Sequence, residues 1–298
     1  MKLTITNLSK TYANGVHALK NINLTINSGM FGLLGPNGAG KSSLMRTIST
    51  LQAPDSGSIY LGDINVLSEK DALRRTLGYL PQEFGVYPKI SAEDLLNHLA
   101  VLKGIDKSKE RKELVTSLLH KTNLYNDRKK HLSGYSGGMK QRFGIAQALL
   151  SNPTLIIVDE PTAGLDPAER NRFLNLLGEL SDETIVILST HIVEDIKELC
   201  TDMAIINKGQ VLMQGHPLTA LEDLNGKIWR KRVEKEEVEN YASQLHVISN
   251  KLISGKPTLH VVSDTDPGFG FDKVEPDLED VYFSYIAKAT SPIIDVNA

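Results

Sequence analysis

Residues 35–42 of this 298-residue chain are Gly35-Pro36-Asn37-Gly38-Ala39-Gly40-Lys41-Ser42, which matches the pattern G-x-x-x-x-G-K-S/T. The apolar run Met30–Leu34 before it predicts a buried strand, and Ser42–Thr50 predicts a helix. Glycines allow successive backbone N–H groups to turn toward an anion, and a helix N-terminus adds positive potential at the same point. The stretch therefore predicts a P-loop, a strand–loop–helix unit that binds the phosphates of a nucleotide.

The side chains of this loop have separate predicted roles. Lys41 would neutralise the β- and γ-phosphates, and the Ser42 hydroxyl would bind Mg²⁺. The other residues of the stretch that we expect to contact the nucleotide are Gly35, Asn37, Gly38, Ala39, Gly40 and Ser43. The alternative is a tight glycine turn without a ligand. It is disfavoured because every fixed position of the pattern is present between a predicted strand and a predicted helix.

A second motif places two acids at the end of an apolar run. Leu155–Val158 predicts a buried strand, and Asp159 and Glu160 follow it directly. Carboxylates at the C-terminal end of such a strand lie where α/β sheets bind ligands. Asp159 is predicted to hold Mg²⁺ through water, and Glu160 to polarise the attacking water. In isolation, two solvated acids would be the better interpretation, but a P-loop upstream requires a metal-binding acid.

The remaining apolar patterns predict strands that alternate with helices. The predicted strands are Leu3–Ile5, His17–Ile26, Ile59–Leu61, Leu77–Leu80, Thr184–Leu188, Ala204–Ile206 and Gln210–Met213. The predicted helices are Ser91–Lys103, Lys109–Lys121, Gly137–Leu150, Ala168–Leu180 and Ile192–Leu199. Buried strands that alternate with helices indicate an α/β fold with a mainly parallel sheet. The three middle helices indicate a helical insert over about residues 86–150.

The last part of the chain has a different pattern. Ile228–Val233, Val247–Ile253 and Leu259–Val262 predict strands, with a helix over Glu234–Leu245 between the first two. An amphipathic terminal helix is predicted over Asp277–Lys288. We therefore expect residues 1–215 to form one domain and residues 216–298 a small α+β region, which could dimerise, regulate, or pack against the first domain.

Composition excludes several functional classes. A net charge of −3 gives no overall basic surface for nucleic acid, so no nucleic-acid partner is expected. The single cysteine, Cys200, cannot form an intramolecular disulfide, which favours a reducing compartment. The apolar runs are far shorter than the roughly 18 residues of a membrane helix. A membrane-spanning chain is therefore not expected.

A third motif, residues 136–142, begins with a serine that can cap a helix, followed by two glycines. This makes it a second candidate anion site. The run resembles the signature motif of ATP-binding cassette (ABC) ATPases. In that family the motif binds the γ-phosphate of the nucleotide held by the other subunit of a dimer. The resemblance thus implies that Ser136, Gly137 and Gly138 contact a partner's ATP. Tyr135 and Met139 stand where the family usually has leucine and glutamine, so the packing of this helix is expected to differ.

Four further pieces resemble the family's motifs in the family's order. Gln82 resembles the Q-loop glutamine, which touches Mg²⁺ and the attacking water. Gly164-Leu165-Asp166 resembles the D-loop, which crosses the dimer interface beside the nucleotide. His191 resembles the switch histidine that contacts the γ-phosphate, and Tyr12 resembles the aromatic residue that stacks on adenine. The alternatives are a structural histidine and an ordinary exposed tyrosine. The likeness covers about Leu3–Gly215.

The resemblance implies a P-loop NTPase fold of the ABC type, with an antiparallel β subdomain beside the parallel sheet. It implies an ATPase that uses ATP and Mg²⁺, forms a head-to-tail dimer, and powers a separate integral membrane permease. The expected location is cytoplasmic, peripheral on the inner face of the cell membrane. The loop Glu83–Ile90 is expected to contact the permease, with an ordinary surface loop as the alternative.

The direction of transport follows from a weaker likeness. The C-terminal region, with Leu278–Tyr282 in its last helix, resembles extensions of single-cassette ATPases that serve export-type permeases. Export is therefore expected. Two alternatives stay open, an importer ATPase and a soluble ABC ATPase that acts in translation or DNA repair. The latter usually has two cassettes or a long coiled-coil insert.

Overall fold

The computed structural model describes residues 1–82, 85, 89–162, 165–180 and 184–290. The strands of these residues are β1 (Lys2–Thr11), β2 (His17–Asn27), β3 (Gly29–Leu34), β4 (Ser56–Leu61), β5 (Ile64–Asn65), β6 (Leu77–Leu80), β7 (Leu155–Asp159), β8 (Ile185–Thr190), β9 (Asp202–Asn207), β10 (Gln210–Gly215), β11 (Ile228–Arg232), β12 (Val247–Ile253), β13 (Lys256–Val262) and β14 (Asp272–Lys273). The helices are α1 (Lys41–Ile48), α2 (Lys70–Thr76), α3 (Ala92–Leu102), α4 (Ser108–Lys121), α5 (Gly137–Ala148), α6 (Pro167–Gly178), α7 (Val193–Leu199), α8 (Pro217–Asp223), α9 (Val238–Gln244) and α10 (Leu278–Thr290).

The central sheet is mainly parallel, as predicted, in the order β10-β9-β3-β8-β7-β6. Neighbouring strands from β9 to β6 are parallel, and the β9–β10 hairpin adds an antiparallel edge. Every residue of β7 and β8 is buried, which explains why both are continuously apolar until their last residues. The carboxyl ends of β3, β6, β7 and β8 share one edge. This edge brings the P-loop, Gln82, Glu160 and His191 to the same side of the molecule.

The second sheet is antiparallel, in the order β2-β1-β4-β5, so the antiparallel β subdomain is confirmed. Its apolar face, with Leu3, Ile5 and Ile26, shares one hydrophobic cluster with Phe31 and Leu33 of the central sheet. Helix α1 contributes Leu44, Met45 and Ile48 to the same cluster. The P-loop helix is therefore fixed between two sheets.

The helical insert forms a core of its own. Helices α3, α4 and α5 lie within a few residues of the predicted positions, and their buried faces meet around Leu96, Leu119 and Phe143. Tyr135 belongs to this cluster and is buried, and its hydroxyl donates a hydrogen bond of 3.0 Å to the Asp127 carbonyl oxygen. Because the buried hydroxyl has a partner, a tyrosine can fill a leucine position without an unsatisfied polar group.

The C-terminal residues form a third sheet, in the order β12-β13-β11-β14. The predicted helix over Glu234–Leu245 is correct only in its second half. The chain first forms a 3₁₀ turn over Lys235–Glu237, because the side chains of Glu234 and Glu237 cap each other's backbone N–H groups. Helix α9 begins after this turn. The elements α2, α8, β5 and β14 were not predicted, since each is short and buries few side chains.

This region packs against the central sheet. Ile228, Ile248, Leu278 and Val281 belong to the same buried cluster as residues of β3, β7, β8 and β9. Of the three alternatives for this region, packing against the first domain is thus observed, whereas the division at about residue 215 stays a prediction. Among the described residues, no helix is both long enough and apolar enough to cross a membrane.

Candidate nucleotide-binding site

The P-loop connects β3 to α1, and two of its glycines have positive φ angles. Gly38 and Gly40 have φ angles of 78° and 109°, a region that L-residues rarely adopt. At Gly40 the chain also passes close to β2, since a Cβ atom there would lie 2.5 Å from the Ala18 carbonyl oxygen. The β9–β10 turn also holds the loop, since the Gly209 N–H donates to the Ala39 carbonyl oxygen at 2.8 Å.

Lys41 is buried at the start of α1, with its ammonium group on the concave side of the loop. Nζ donates to the carbonyl oxygens of Gly35 at 2.6 Å and Pro36 at 3.2 Å. It also lies 3.3 Å from Oε1 of Glu160. The lysine is therefore oriented by the loop, and its charge is paired with a carboxylate of another strand.

Glu160 is the point where the predicted side chains converge. Its Oε2 lies 3.2 Å from Nδ1 of His191 and accepts a hydrogen bond of 3.4 Å from Nε2 of Gln82, while Oε1 faces Lys41. The backbone of Glu160 is left-handed, with φ 48°, and its N–H donates to the Ser189 carbonyl oxygen at 2.8 Å. Such a conformation costs roughly 1–3 kcal/mol outside glycine, so it persists only where the surroundings fix it.

Asp159 is buried at the end of β7. Burial raises the pKa of its carboxyl group above the ordinary value, and the charge of Glu160 adds to this. The hydroxyls of Ser189 and Ser42 and the charge of Lys41 oppose the increase. Oδ1 of Asp159 is buried without a hydrogen-bond partner. A buried polar atom without a partner is unusual in proteins and calls for a ligand or an ion.

These groups fit Mg²⁺. The ion prefers oxygen ligands, and proteins usually bind it through one or two carboxylates together with water and substrate phosphates. Asp159 and the Ser42 hydroxyl offer such oxygens beside the P-loop. Among the described residues, no group of three or more His, Cys, Asp or Glu side chains could hold a metal ion. The site therefore fits a Mg²⁺ ion that is bound together with a nucleotide, whose phosphates would supply further oxygen ligands.

A cavity of about 680 Å³ lies in front of the P-loop and contains most of the predicted nucleotide contacts. Its lining includes Tyr12, Asn37, Gly38, Ala39, Gly40, Lys41, Ser42, Ser43, Gln82 and Glu160. The Tyr12 hydroxyl is 2.9 Å from Ser43 Oγ and 3.0 Å from Gln52 Oε1. The lining also includes His17, Lys20 and Lys208, which sequence reasoning missed. No motif marks them, because only strand pairing brings β2 and the β9–β10 turn to the loop.

The signature residues lie apart from this cavity. Ser136 caps α5, its Oγ accepting from the Met139 N–H at 3.2 Å, and Ser136 and Gly137 are exposed. Gly138 is buried against α6, where a Cβ atom would lie 2.3 Å from Glu169 Oε2. Asp166 caps α6 by accepting from the Glu169 N–H at 2.9 Å. None of the four lines the P-loop cavity within the described part of this chain.

Gly164 of the D-loop lies outside the described residues, as do residues 83, 84 and 86–88 of the predicted permease contact.

Comparison with known proteins agrees with the motifs. A family model described as "ABC transporter" matches residues 19–163. The uncharacterized ABC transporter ATP-binding protein YxlF of Bacillus subtilis is 35% identical over 248 residues, which cover 83% of this chain and 81% of that protein. The chain belongs to the ABC transporter ATP-binding family. The expected fold class and ATPase activity are thereby confirmed.

Other relatives of this ABC ATPase differ in the process that their names state. The daunorubicin/doxorubicin resistance ATP-binding protein DrrA of Streptomyces peucetius is 31% identical, with 87% of this chain and 77% of that protein covered. The methionine import ATP-binding protein MetN 2 of Oceanobacillus iheyensis is 32% identical, with 85% and 77% covered. The relatives thus include one protein named for drug resistance and one named for import.

A solved structure supports the fold of the cassette. It is a dimeric ATP-binding cassette in a post-hydrolysis state bound to ADP and Pi, 28% identical to this chain, with a TM-score of 0.66. The match covers 72% of this chain and 98% of that one. About a quarter of this chain therefore lies outside the match.

Proposed function

We propose that this ABC ATPase hydrolyses ATP at the edge formed by β3, β6, β7 and β8, and that the energy drives a separate membrane permease in the export direction. The convergence of Lys41, Gln82 and His191 on Glu160, at 3.2–3.4 Å, carries the proposal. A carboxylate, an amide, an ammonium and an imidazole at one point are the groups that phosphoryl transfer to water needs.

Each group has a distinct role in this proposal. The P-loop N–H groups and Lys41 hold the β- and γ-phosphates, and the ring of Tyr12 stacks on adenine. Glu160 orients the attacking water and accepts its proton, and His191 stabilises charge on the γ-phosphate through the ring nitrogen that does not face Glu160. Bound Mg²⁺, held by Ser42, Asp159 and Gln82, would neutralise phosphate charge during the reaction.

A second copy of the chain completes each site in the proposal. The exposed N-terminus of α5, with Ser136 and Gly137, is suited to an anion but does not face the cavity of its own chain. A head-to-tail dimer would bring Ser136, Gly137 and Gly138 of one copy against the γ-phosphate on the other, with Asp166 at the interface. The similar cassette bound to ADP and Pi is dimeric, which supports a dimer of this chain.

The first experiment tests the base. We expect Glu160→Gln to lower kcat about 10³-fold, because an amide cannot accept the proton of the water, while ATP still binds to the P-loop. The ATP-bound variant should elute as a stable dimer from a sizing column, whereas ADP should leave it monomeric. Normal turnover by the variant would refute the assignment of Glu160.

The second experiment tests the composite site. Ser136→Arg puts a bulky side chain on the exposed start of α5, so it should lower kcat at least about 10²-fold without changing ATP affinity. Mixing it with Lys41→Ala, which lacks the phosphate-binding lysine, should restore one complete site per mixed dimer. Persistent turnover by Ser136→Arg alone would contradict the two-chain site.

The permease contact is proposed for the loop Glu83–Ile90 and for a groove lined by residues of β6 and α3. The groove has a volume of about 350 Å³, and Leu51, Tyr79, Leu99 and Leu102 are among its lining residues. Leu51 and Leu102 are 62% and 70% exposed, so two large apolar side chains face solvent at this groove. Binding to a permease would hold the protein on the inner face of the membrane, in the cytoplasm. Sedimentation with membranes that contain the permease would test it, and co-purification with ribosomes alone would favour the role in translation.

Export is supported by the drug-resistance relative and by the C-terminal region, whereas the methionine-import relative supports the alternative. The direction can be measured in vesicles that carry the ATPase and its permease with the ATPase outside. An exporter moves a fluorescent compound that stimulates ATP hydrolysis into the vesicle lumen. Depletion of the lumen would identify an importer.

A further inference from the structure

Asp195 is a fully buried carboxylate that contacts three segments of the chain. It lies in the first turn of α7. Oδ2 accepts hydrogen bonds from the hydroxyls of Thr162 at 2.8 Å and Thr190 at 3.0 Å. Oδ1 accepts from Nε of Arg170 at 2.7 Å. Charge-assisted hydrogen bonds in a buried setting are among the stronger polar contacts of a protein.

The partners of Asp195 adjoin the proposed hydrolysis site. Thr162 follows Glu160 by two residues, and Thr190 directly precedes His191. The Thr190 hydroxyl also accepts from the Ile192 N–H at 2.9 Å, so the backbone is fixed on both sides of His191. Asp195 itself does not line the P-loop cavity. One carboxylate thus joins the turn that presents the proposed base to the turn that presents the histidine.

We propose that Asp195 is a positioning residue for hydrolysis, which holds Glu160 and His191 at a fixed separation by binding Thr162 and Thr190 together. The inference rests on the proposed roles of Glu160 and His191. The left-handed backbone of Glu160 needs such support, since a strained turn relaxes when its neighbours are released. A displacement of about 1 Å can cost 10²-fold in rate without loss of substrate binding.

The experiment compares two variants of Thr190 with one of Asp195. Thr190→Val removes the hydroxyl but keeps the branched shape, and Thr190→Ser keeps the hydroxyl. We expect Thr190→Val and Asp195→Asn to lower kcat about 10- to 100-fold, with the Kd for ATP changed less than about threefold. Thr190→Ser should stay within about threefold of the parent in both quantities.

Asp280→Asn is the matched control, because Asp280 is equally buried and pairs with His260 in the C-terminal region. It should lower the melting temperature as Asp195→Asn does, but leave kcat unchanged. The inference is overturned if Asp195→Asn and Thr190→Val keep the parental kcat, or if Thr190→Ser lowers kcat as much as Thr190→Val does. If Asp195→Asn fails to fold, the comparison of Thr190→Val with Thr190→Ser tests the inference without it.

Glu160→Gln and His191→Ala in the same assay separate this inference from the proposed function. If these two keep the parental kcat, the proposed site is wrong. If they lose turnover while the Asp195 and Thr190 variants keep it, only the positioning role fails.

Discussion

Two buried acids of this protein each face a histidine, with different consequences. Oε2 of Glu160 lies 3.2 Å from Nδ1 of His191, and Oδ1 of Asp280 lies 2.6 Å from Nδ1 of His260. Both carboxylates are largely inaccessible to solvent. The side chain of His191 is nevertheless 47% exposed, whereas that of His260 is 10% exposed.

The surroundings explain the difference. Glu160 stands at a strand end on a strained backbone, and an ammonium and an amide face it together with the histidine. Asp280 lies in a regular helix, where its second oxygen accepts from the Asp277 N–H at 3.0 Å, and the pair joins β13 to α10. The Glu160–His191 pair can therefore contact a ligand, whereas the Asp280–His260 pair is enclosed by the protein. Residue type alone does not distinguish the two.

The strongest loss of turnover is expected at the Glu160–His191 pair. We expect His191→Ala to lower kcat by about 10²–10³-fold, because charge on the γ-phosphate loses a stabilising partner. The melting temperature should change little, since the exposed ring buries little surface. Steady-state ATP hydrolysis and a thermal melt measure the two quantities. If the variant kept normal turnover and had a lower melting temperature, the Glu160–His191 pair would be structural, as the Asp280–His260 pair is.

The matching substitution at the Asp280–His260 pair should lower stability and leave turnover unchanged. His260→Ala should lower the free energy of unfolding by about 2–3 kcal/mol, because it leaves a buried carboxylate without its partner. Its kcat, measured well below the melting temperature, should equal that of the parent. Urea unfolding followed by circular dichroism measures the stability. A loss of turnover in the folded variant would indicate that the C-terminal region takes part in hydrolysis.

A smaller change, in stability alone, is expected at Asp159, which directly precedes Glu160. Burial raises the pKa of Asp159, so its ionisation lowers stability progressively as the pH rises from the ordinary value of 3.8 to the raised pKa. The loss is complete above the raised pKa and absent well below 3.8, where the group is protonated in both states. Asp159→Asn should therefore raise the melting temperature at pH 7 by roughly 2 °C without nucleotide. The gain should disappear in acid. A decrease at pH 7 would mean that the buried charge is fully compensated.

Much of the fold and the site could be predicted because the signals are local. The loop of residues 35–42 turns at Gly38 and Gly40, whose positive φ angles favour glycine. Leu155–Val158 is apolar because β7 is buried on both faces. Gln82, Glu160 and His191 follow strand ends, and parallel strands end at one edge, so the order of the motifs predicted that these three residues lie on the same side of the sheet. Short elements such as α2, with Leu73 as its only buried residue, gave too weak a pattern.

The class of the protein, its ATPase chemistry and the edge of the sheet at which that chemistry is expected follow from the amino-acid sequence, since each depends on residue types at fixed spacing. The contacts at Glu160, the link from Asp195 to Thr162 and Thr190, and the packing of the C-terminal residues on the central sheet are seen only in the folded chain. Contacts between segments far apart in the chain depend on how strands pair and helices pack, and no local pattern records them.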